Sequence, residues 1–190
     1  MGKKKLIIIV AAVLVVVAIG VGVGLGVGIV NGSGEKANFK ANVMEGPLCP
    51  FAFDKDGGIS KKYALRLINS LDELIDLCDE YNNPTFNKEH QYYNQFYNSN
   101  MSKKLREYKK GFFKNRSLII YSTSVPDTSW SLDVNNVYAD NDVLFLDVIE
   151  TSQGVGFQLI AYWTIIVEVN KSISNGTNDI QVIKSNEKES

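Results

Sequence analysis

The four segments that decide the fold lie in the C-terminal half of the chain: RSLIIYST (116–123), SWSLDVNNVY (129–138), DVLFLDVIE (142–150) and FQLIAYWTIIVEV (157–169). They are rich in β-branched and aromatic residues with a period of two, which is typical of strands. Turn residues at 140–142 and 153–156 join the last three. A further strand is predicted at 179–184. Strands joined by tight turns predict antiparallel pairing.

Two helices, over 71–81 and 102–110, are predicted ahead of these strands. Ser70 and Glu73 form a capping box, and the apolar spacing that follows predicts a helix over 71–81. A strand is predicted just before it, at 63–68. Ser102 is predicted to cap a second short helix, which ends near Gly111.

The fold class that follows is α+β. We expect a small antiparallel β-sheet domain with two or so helices packed on one face. Phe112 and Phe113 follow the second helix and are expected to fill the core.

A long apolar segment lies near the N-terminus. Residues 6–30 are 25 consecutive apolar or glycine residues, preceded by Lys3, Lys4 and Lys5. Such a run exceeds the length of a signal-peptide core and is long enough to cross a bilayer, so we expect an uncleaved transmembrane anchor, with cleavage as the alternative. The lysines should stay in the cytoplasm, which sends the rest of the chain outside.

The predicted organisation is therefore a single-pass membrane protein with one external domain. Residues 1–5 form a cytoplasmic basic tip and 6–30 the anchor. Residues 31–42 form a flexible stalk, 43–184 the extracytoplasmic α+β domain, and 185–190 a disordered tail.

The spacing of three glycines suggests self-association of the anchor. Gly20, Gly24 and Gly28 recur every four residues, which allows two helices to approach closely in lipid. The alternative is a Val-Gly tract that only spans the membrane.

The two cysteines, Cys49 and Cys78, both fall in the predicted external part. Oxidising conditions there permit a disulfide between them. The alternative is a pair of buried free thiols, because Cys78 also fits the apolar face of the predicted helix.

The charge distribution disfavours nucleic acid as a partner. Without the three N-terminal lysines, 17 basic residues stand against 21 acidic ones. Binding to phosphates needs clustered positive charge.

Part of the C-terminal half resembles a known family. The run FFKNRSLIIYSTSVPDTSWSLDVNNVYADNDVLFLDVIETSQG, followed by AYWTIIVEVNKS, resembles the C-terminal domain of the protease-complex subunit PrcB family and related surface proteins of Gram-positive bacteria. The resemblance covers residues 111–172. It implies an extracytoplasmic, non-catalytic module that associates with other proteins.

The common catalytic and metal-binding motifs are missing from the sequence. The single histidine, His90, excludes a multi-histidine metal site, and its polar surroundings predict an exposed, solvated side chain. A loop that starts at Asp54 has Ile59 and Leu65 at the positions where a calcium loop needs glycine and glutamate. Asp147 and Glu150 are predicted on opposite faces of one strand, so they do not converge as a catalytic pair. We therefore predict no cofactor and no enzyme activity.

The aromatic, asparagine-rich segment 86–97 is the candidate binding surface. Tyrosines are favoured at protein interfaces and at surfaces that stack on sugars. The alternative is that Phe96 fills the core while the tyrosines border it. The candidate residues are Tyr92, Tyr93, Phe96, Tyr97 and, from the predicted strand 129–138, Trp130.

These features predict a membrane-anchored module that docks a partner protein at the cell envelope. A cell-wall or carbohydrate-binding module that uses exposed tyrosines is the first alternative. An envelope hydrolase with carboxylates from separate strands is the second.

Overall fold

The computed structural model describes residues 22–24, 35–48, 63–152, 154, 160–177 and 179–186. The strands are β1 (Gly22–Gly24), β2 (Glu35–Lys36), β3 (Phe39–Glu45), β4 (Ala64–Ile68), β5 (Arg116–Val125), β6 (Trp130–Asp140), β7 (Val143–Ser152), β8 (Ala161–Asn170) and β9 (Asp179–Asn186). The helices are α1 (Leu71–Glu80), α2 (Tyr93–Phe96), α3 (Asn100–Leu105) and α4 (Lys171–Ser174), with a 3₁₀ turn at Phe112–Lys114.

The described strands form two sheets. The first has the order β1-β3-β8-β5-β4, and the second has the order β2-β6-β7-β9. Pairing is antiparallel throughout, except that β9 lies parallel to β7. The fold is thus α+β as predicted, but with two sheets instead of one.

The second sheet exists because the central strand β8 is apolar on both faces. Ile165 and Val167 point into one buried cluster, while Ile166 points into another. A strand buried on both sides needs a layer on each face of its sheet. One layer is the second sheet, and the other is formed by α1 and α3.

The two buried clusters hold these layers together. The first packs Leu74, Leu77 and Cys78 of α1 and Leu105 of α3 against the first sheet, and Phe113 fills it as predicted. The second lies between the sheets and includes Phe39, Val137, Leu146 and Val167.

The predicted helix over 71–81 is confirmed as α1. The Ser70 hydroxyl accepts a hydrogen bond from the Glu73 N–H at 3.1 Å, as a capping box requires. The Glu73 carboxylate reaches one residue further back and accepts from the Asn69 N–H at 2.8 Å.

The second helix begins earlier than predicted. Ser99, not Ser102, caps α3 by accepting a hydrogen bond from the Ser102 N–H at 3.0 Å. Ser102 is itself fully buried within the helix. The five C-terminal strands lie where they were predicted, each extended by a few residues or trimmed at an end.

The predicted stalk at 31–42 overlaps the folded domain. β2 pairs with β6, and β3 starts at Phe39, whose side chain is buried between the sheets. The folded domain therefore begins before the predicted boundary at residue 43. The sequence before Phe39 is mostly polar, and the alternating apolar residues of β3 start only at Phe39. At the other end, β9 continues to Asn186, into the predicted tail.

Most of the predicted anchor lies outside the described residues. Gly22–Gly24 are described, and they form the edge strand β1 beside β3 instead of part of a helix. Glycine is a poor helix former, and the open edge of β3 offers hydrogen-bonding groups. Among the residues that the structure describes, none of the helices combines the length and apolar character that a bilayer span requires.

Candidate functional site

The short helix α3 separates two surfaces that carry candidate binding groups. Met101 and Leu105 face the core, and Tyr108 follows them just beyond the helix. On one flank, Arg106 contacts Tyr97. On the other flank, residues three or four positions apart face a cavity beside β3: Asn100, Lys103, Lys104 and Glu107.

The first surface holds four of the predicted aromatic residues. Tyr92 and Tyr97 are exposed, with 37% and 38% of their surface accessible. Tyr93 is half-buried, and its ring centroid lies 5.1 Å from that of Tyr97. Phe96 packs against the first buried cluster, so the core role that the sequence left open for it is the one it has.

Arg106 fixes the position of Tyr97. Its guanidinium carbon lies 3.4 Å from the centroid of the Tyr97 ring, and its Nη2 donates a hydrogen bond to the Tyr97 carbonyl at 2.6 Å. Its Nε donates to the Ser102 carbonyl at 3.2 Å. An arginine held by hydrogen bonds at two of its three nitrogens and stacked on a ring restrains that ring before any partner binds.

Trp130 does not belong to this surface. It begins β6 in the second sheet and packs against the cluster between the sheets, whereas the tyrosines lie in the helical layer. The structure therefore brings Tyr92, Tyr93, Phe96 and Tyr97 together and leaves Trp130 apart.

His90 is more constrained than its polar surroundings suggested. Its Nε2 lies 2.9 Å from Asn82 Oδ1, and its Nδ1 accepts a hydrogen bond from the Tyr92 N–H at 3.2 Å. This arrangement assigns the ring proton of the neutral form to Nε2. The expectation of a solvated side chain is wrong, because the half-buried ring anchors the start of the tyrosine segment. His90 also lines a cavity of about 250 Å³ with Asp79, Asn82, Asn83 and Asn87.

The second surface is a cavity of about 170 Å³ between α3 and β3. Asn42 and Met44 line it from the strand, and Lys103, Lys104 and Glu107 line it from the helical side. Asn42 is only 2% exposed, and among the described residues its amide Nδ2 has no hydrogen-bond partner. A buried donor without a partner is uncommon and carries a free-energy cost.

A buried carboxylate lies next to this cavity. Glu168 of β8 is 7% exposed and ion-pairs with Lys104 at 3.4 Å and Arg116 at 3.3 Å. Tyr108 donates a hydrogen bond to it at 3.1 Å. Burial, together with the charge and hydrogen bond of Glu168, raises the pKa of Tyr108 well above its usual value.

The predicted disulfide has one described partner. Cys78 is a free, fully buried thiol on the core face of α1, while Cys49 lies outside the described residues. Burial, and then the charge of Asp79, raises the pKa of this thiol well above its usual value. The apolar face of α1 buries the sulfur among aliphatic side chains, and the bridge to Cys49 stays a prediction.

The predicted glycine motif falls largely outside the described residues. Gly24 lies in β1, opposite Ala41 of β3, while Gly20 and Gly28 lie outside the description.

The carboxylates weighed as catalytic groups each contact other side chains. Asp147 accepts hydrogen bonds from Asn135 at 2.6 Å and from Ser185 at 2.7 Å. Glu150 pairs with Lys184 at 2.6 Å. In the described part of the chain, no group of three or more histidine, cysteine or acidic side chains is placed to hold a metal ion.

Comparison with known proteins finds no relative. No family model matches the chain, and neither the curated proteins nor the solved structures contain a match. The resemblance of residues 111–172 to the PrcB family stays a prediction.

Proposed function

We propose that the protein is a membrane-anchored, non-catalytic module that docks a partner protein at the outer face of the cell envelope. The observation that carries the proposal is the surface of Tyr92 and Tyr97 with Arg106, which we call the tyrosine surface. Tyrosine and arginine are enriched at the centres of protein interfaces. A tyrosine already restrained by an arginine loses little conformational freedom when a partner binds.

The geometry favours a protein over a polysaccharide as the partner. Sugar-binding tyrosines stack one open ring face on the sugar. The Arg106 guanidinium occupies one face of Tyr97, and Tyr93 packs against the same ring. Polysaccharide binding remains the alternative that the experiment below separates.

The anchor is the second part of the proposal. Lys3–Lys5 would stay in the cytoplasm, and residues 6–30 would span the bilayer. A helix over 6–30 requires Gly22–Gly24 to leave β3, so membrane insertion and β1 pairing exclude each other. Alkaline extraction of membranes and protease treatment of intact cells test the anchor. Release of the chain by alkali, or protection of its domain in intact cells, would contradict it.

Photo-crosslinking in cells of the native host tests the docking surface. A photoreactive phenylalanine analogue replaces Tyr92 in the full chain, and the matched control places it at Ile183, which is 38% exposed in the second sheet. We expect one dominant protein adduct from position 92 and not from position 183. The same adduct from both positions, or an adduct of wall polysaccharide, would reject protein docking through this surface.

Arg106→Met tests whether the restraint that Arg106 places on Tyr97, and not only the exposure of the tyrosines, contributes to docking. It retains much of the side-chain volume but removes the stacking cation and both hydrogen bonds to the backbone. We expect the yield of the position-92 adduct to fall severalfold with the fold unchanged by circular dichroism. An unchanged yield would show that the restraint contributes nothing to docking.

A further inference from the structure

In the described part of the chain, the outer edge of β3 is paired only at its middle. β3 has seven residues and pairs along its full length with β8 on one side. On the other side, the described strand β1 pairs with Ala41, Asn42 and Val43. Two of the three residues in β1 are glycines, which have no side chain to pack against a neighbour.

The cavity beside α3 opens on the helical face of this same edge. Asn42 is the middle residue of the stretch that β1 covers, and it also lines the cavity. A strand added to β3 would therefore run along the rim of the cavity. Side chains of an added strand alternate between the two faces of the sheet, so every second one would face the helical layer.

The chemistry of the cavity selects for an acceptor group. The Asn42 amide Nδ2 is a buried donor that lacks a partner among the described residues. Lys103 is exposed at the rim, and Lys104 already pairs with Glu107 at 2.8 Å and with Glu168 at 3.4 Å. With two lysines and one glutamate, the cavity lining carries a net positive charge.

We propose that the β3 edge and this cavity form an acceptor site for an extended segment of another protein, with an acidic side chain of that segment opposite Asn42. Main-chain hydrogen bonds to the edge would supply affinity, and the cavity would supply specificity. The carboxylate would accept the hydrogen bond of the Asn42 amide and pair with Lys103. The partner segment replaces Gly22–Gly24, which already show that this edge accepts a strand.

The site is independent of the tyrosine surface, which lies on the other flank of α3. A second copy of this chain fits less well as the occupant, because two-fold pairing of β3 with itself would bring two net-positive cavities together. The proposal therefore goes beyond docking through the tyrosines, and each can fail without the other.

Fluorescence anisotropy with a synthetic peptide tests the proposal. The probe is a labelled nine-residue peptide of alternating threonine and valine with one central glutamate, compared with central glutamine and lysine versions. The protein is the full chain in detergent with Val23→Pro, because proline removes a backbone donor and weakens the competing β1. We expect the glutamate peptide to bind about tenfold more tightly than the lysine peptide.

Three variants locate the interaction. Asn42→Leu should weaken the glutamate and glutamine peptides alike, because the side-chain oxygen of either residue can accept from the Asn42 amide. Lys103→Glu should reverse the order of the glutamate and lysine peptides. Lys109→Glu makes the same charge change at an exposed position outside the cavity lining and should leave that order unchanged. A glutamate peptide with proline in place of its flanking valines should bind at least about tenfold more weakly than the original glutamate peptide. The prolines lack the backbone N–H groups that would donate hydrogen bonds to β3.

Several results would overturn the proposal. No binding of any peptide, equal binding of all three, or an unchanged affinity for the glutamate peptide in Asn42→Leu would each reject the site. A concentration-dependent dimer in sedimentation that Lys103→Glu strengthens would assign the edge to a second copy of the chain instead.

Discussion

At the scale of single residues, Glu168 is a buried carboxylate with several charged and polar partners. Its two oxygens contact Tyr108, Lys104 and Arg116, which lie about 50 to 65 positions away in the sequence. A buried carboxylate is tolerated only when cations and hydrogen bonds compensate for its lost hydration. This cluster ties the segment after α3 to the central strand β8.

The raised pKa of Tyr108 predicts an alkaline loss of stability. Above about pH 10 a tyrosine in the unfolded chain loses its proton, while buried Tyr108 keeps it. The folded state then binds more protons than the unfolded state, so the free energy of unfolding falls as the pH rises. Tyr108→Phe lacks this proton and should be about 1 kcal/mol less stable at pH 7.

The difference in the free energy of unfolding between wild type and Tyr108→Phe should therefore narrow, and then change sign, between about pH 10 and pH 11. Urea unfolding followed by tryptophan fluorescence at each pH measures this difference. Parallel pH profiles for the two proteins would contradict the assigned role of Tyr108.

Cys78 should be unreactive in the folded protein. Its sulfur is fully buried, so a reagent cannot reach it. Burial also raises the pKa of the thiol, so the fraction present as the reactive thiolate is small. In a Cys49→Ser variant, we expect iodoacetamide to label Cys78 only after unfolding, as read from the intact mass. Complete labelling within minutes under native conditions would refute this burial.

The same labelling experiment on the wild-type chain tests the predicted Cys49–Cys78 disulfide. If Cys78 is free, denatured protein should take up label at this residue without reductant. A requirement for reductant would instead establish the Cys49–Cys78 disulfide.

At the scale of elements, the caps decide where the helices begin. Ser70 has the extended backbone and the free hydroxyl that an N-cap needs, and the following Glu73 completes the box. Two serines, Ser99 and Ser102, lie where the N-cap of α3 could be. Ser99 is the N-cap because its backbone is extended, while Ser102 continues the helix and is buried.

The two serines should therefore respond differently to alanine. Ser99→Ala removes the cap hydrogen bond and should cost about 1 kcal/mol of unfolding free energy. Ser102→Ala removes a buried hydroxyl that has no partner among the described residues, so it should be neutral or slightly stabilising. Urea unfolding of both variants tests the assignment, and the reverse order of effects would restore Ser102 as the cap.

The turn between β6 and β7 illustrates an element that local chemistry specifies well. Asn141 and Asp142 both have positive φ angles, of 48° and 65°. Two successive residues of this kind form the primed turns that join antiparallel strands, and asparagine and aspartate tolerate them. The turn residues at 140–142 were sufficient to predict this hairpin.

At the scale of the whole molecule, the first sheet depends on β3. This strand contributes Phe39 and Ala41 to the cluster between the sheets and Met44 to the cluster under the helices. It also covers β8 along its full length. The N-terminal part of the domain is thus an integral layer, and not a linker.

Two truncated chains test this conclusion. A chain of residues 35–190 retains β2 and β3 and should unfold cooperatively. A chain of residues 43–190, cut at the boundary predicted from sequence, loses Phe39 and Ala41 and exposes β8, so it should aggregate or unfold without a clear transition. Thermal circular dichroism compares them, and a cooperative transition in the shorter chain would show that β3 is dispensable.

Local pattern was enough to locate most elements. The capping box placed α1, alternation placed β4 and the five C-terminal strands, and Phe113 was expected in the core. These features depend on interactions within a few residues, which are visible in the chain itself. Composition also singled out the tyrosine segment, because its aromatic residues lie among asparagines, but the exposure of Tyr92 and Tyr97 is known only from the structure.

The tertiary structure alone decided which strands share a sheet and which side chains meet. β9 pairs in parallel with β7, and β8 lies in the first sheet and not beside β7. No local sequence pattern predicts either pairing, because burial over the whole domain determines which strands pair. The same holds for Trp130, which packs between the sheets, and for Asn42, which lines a cavity together with residues of α3. A periodic pattern records which face of an element is apolar, but contacts between distant residues determine what that face packs against.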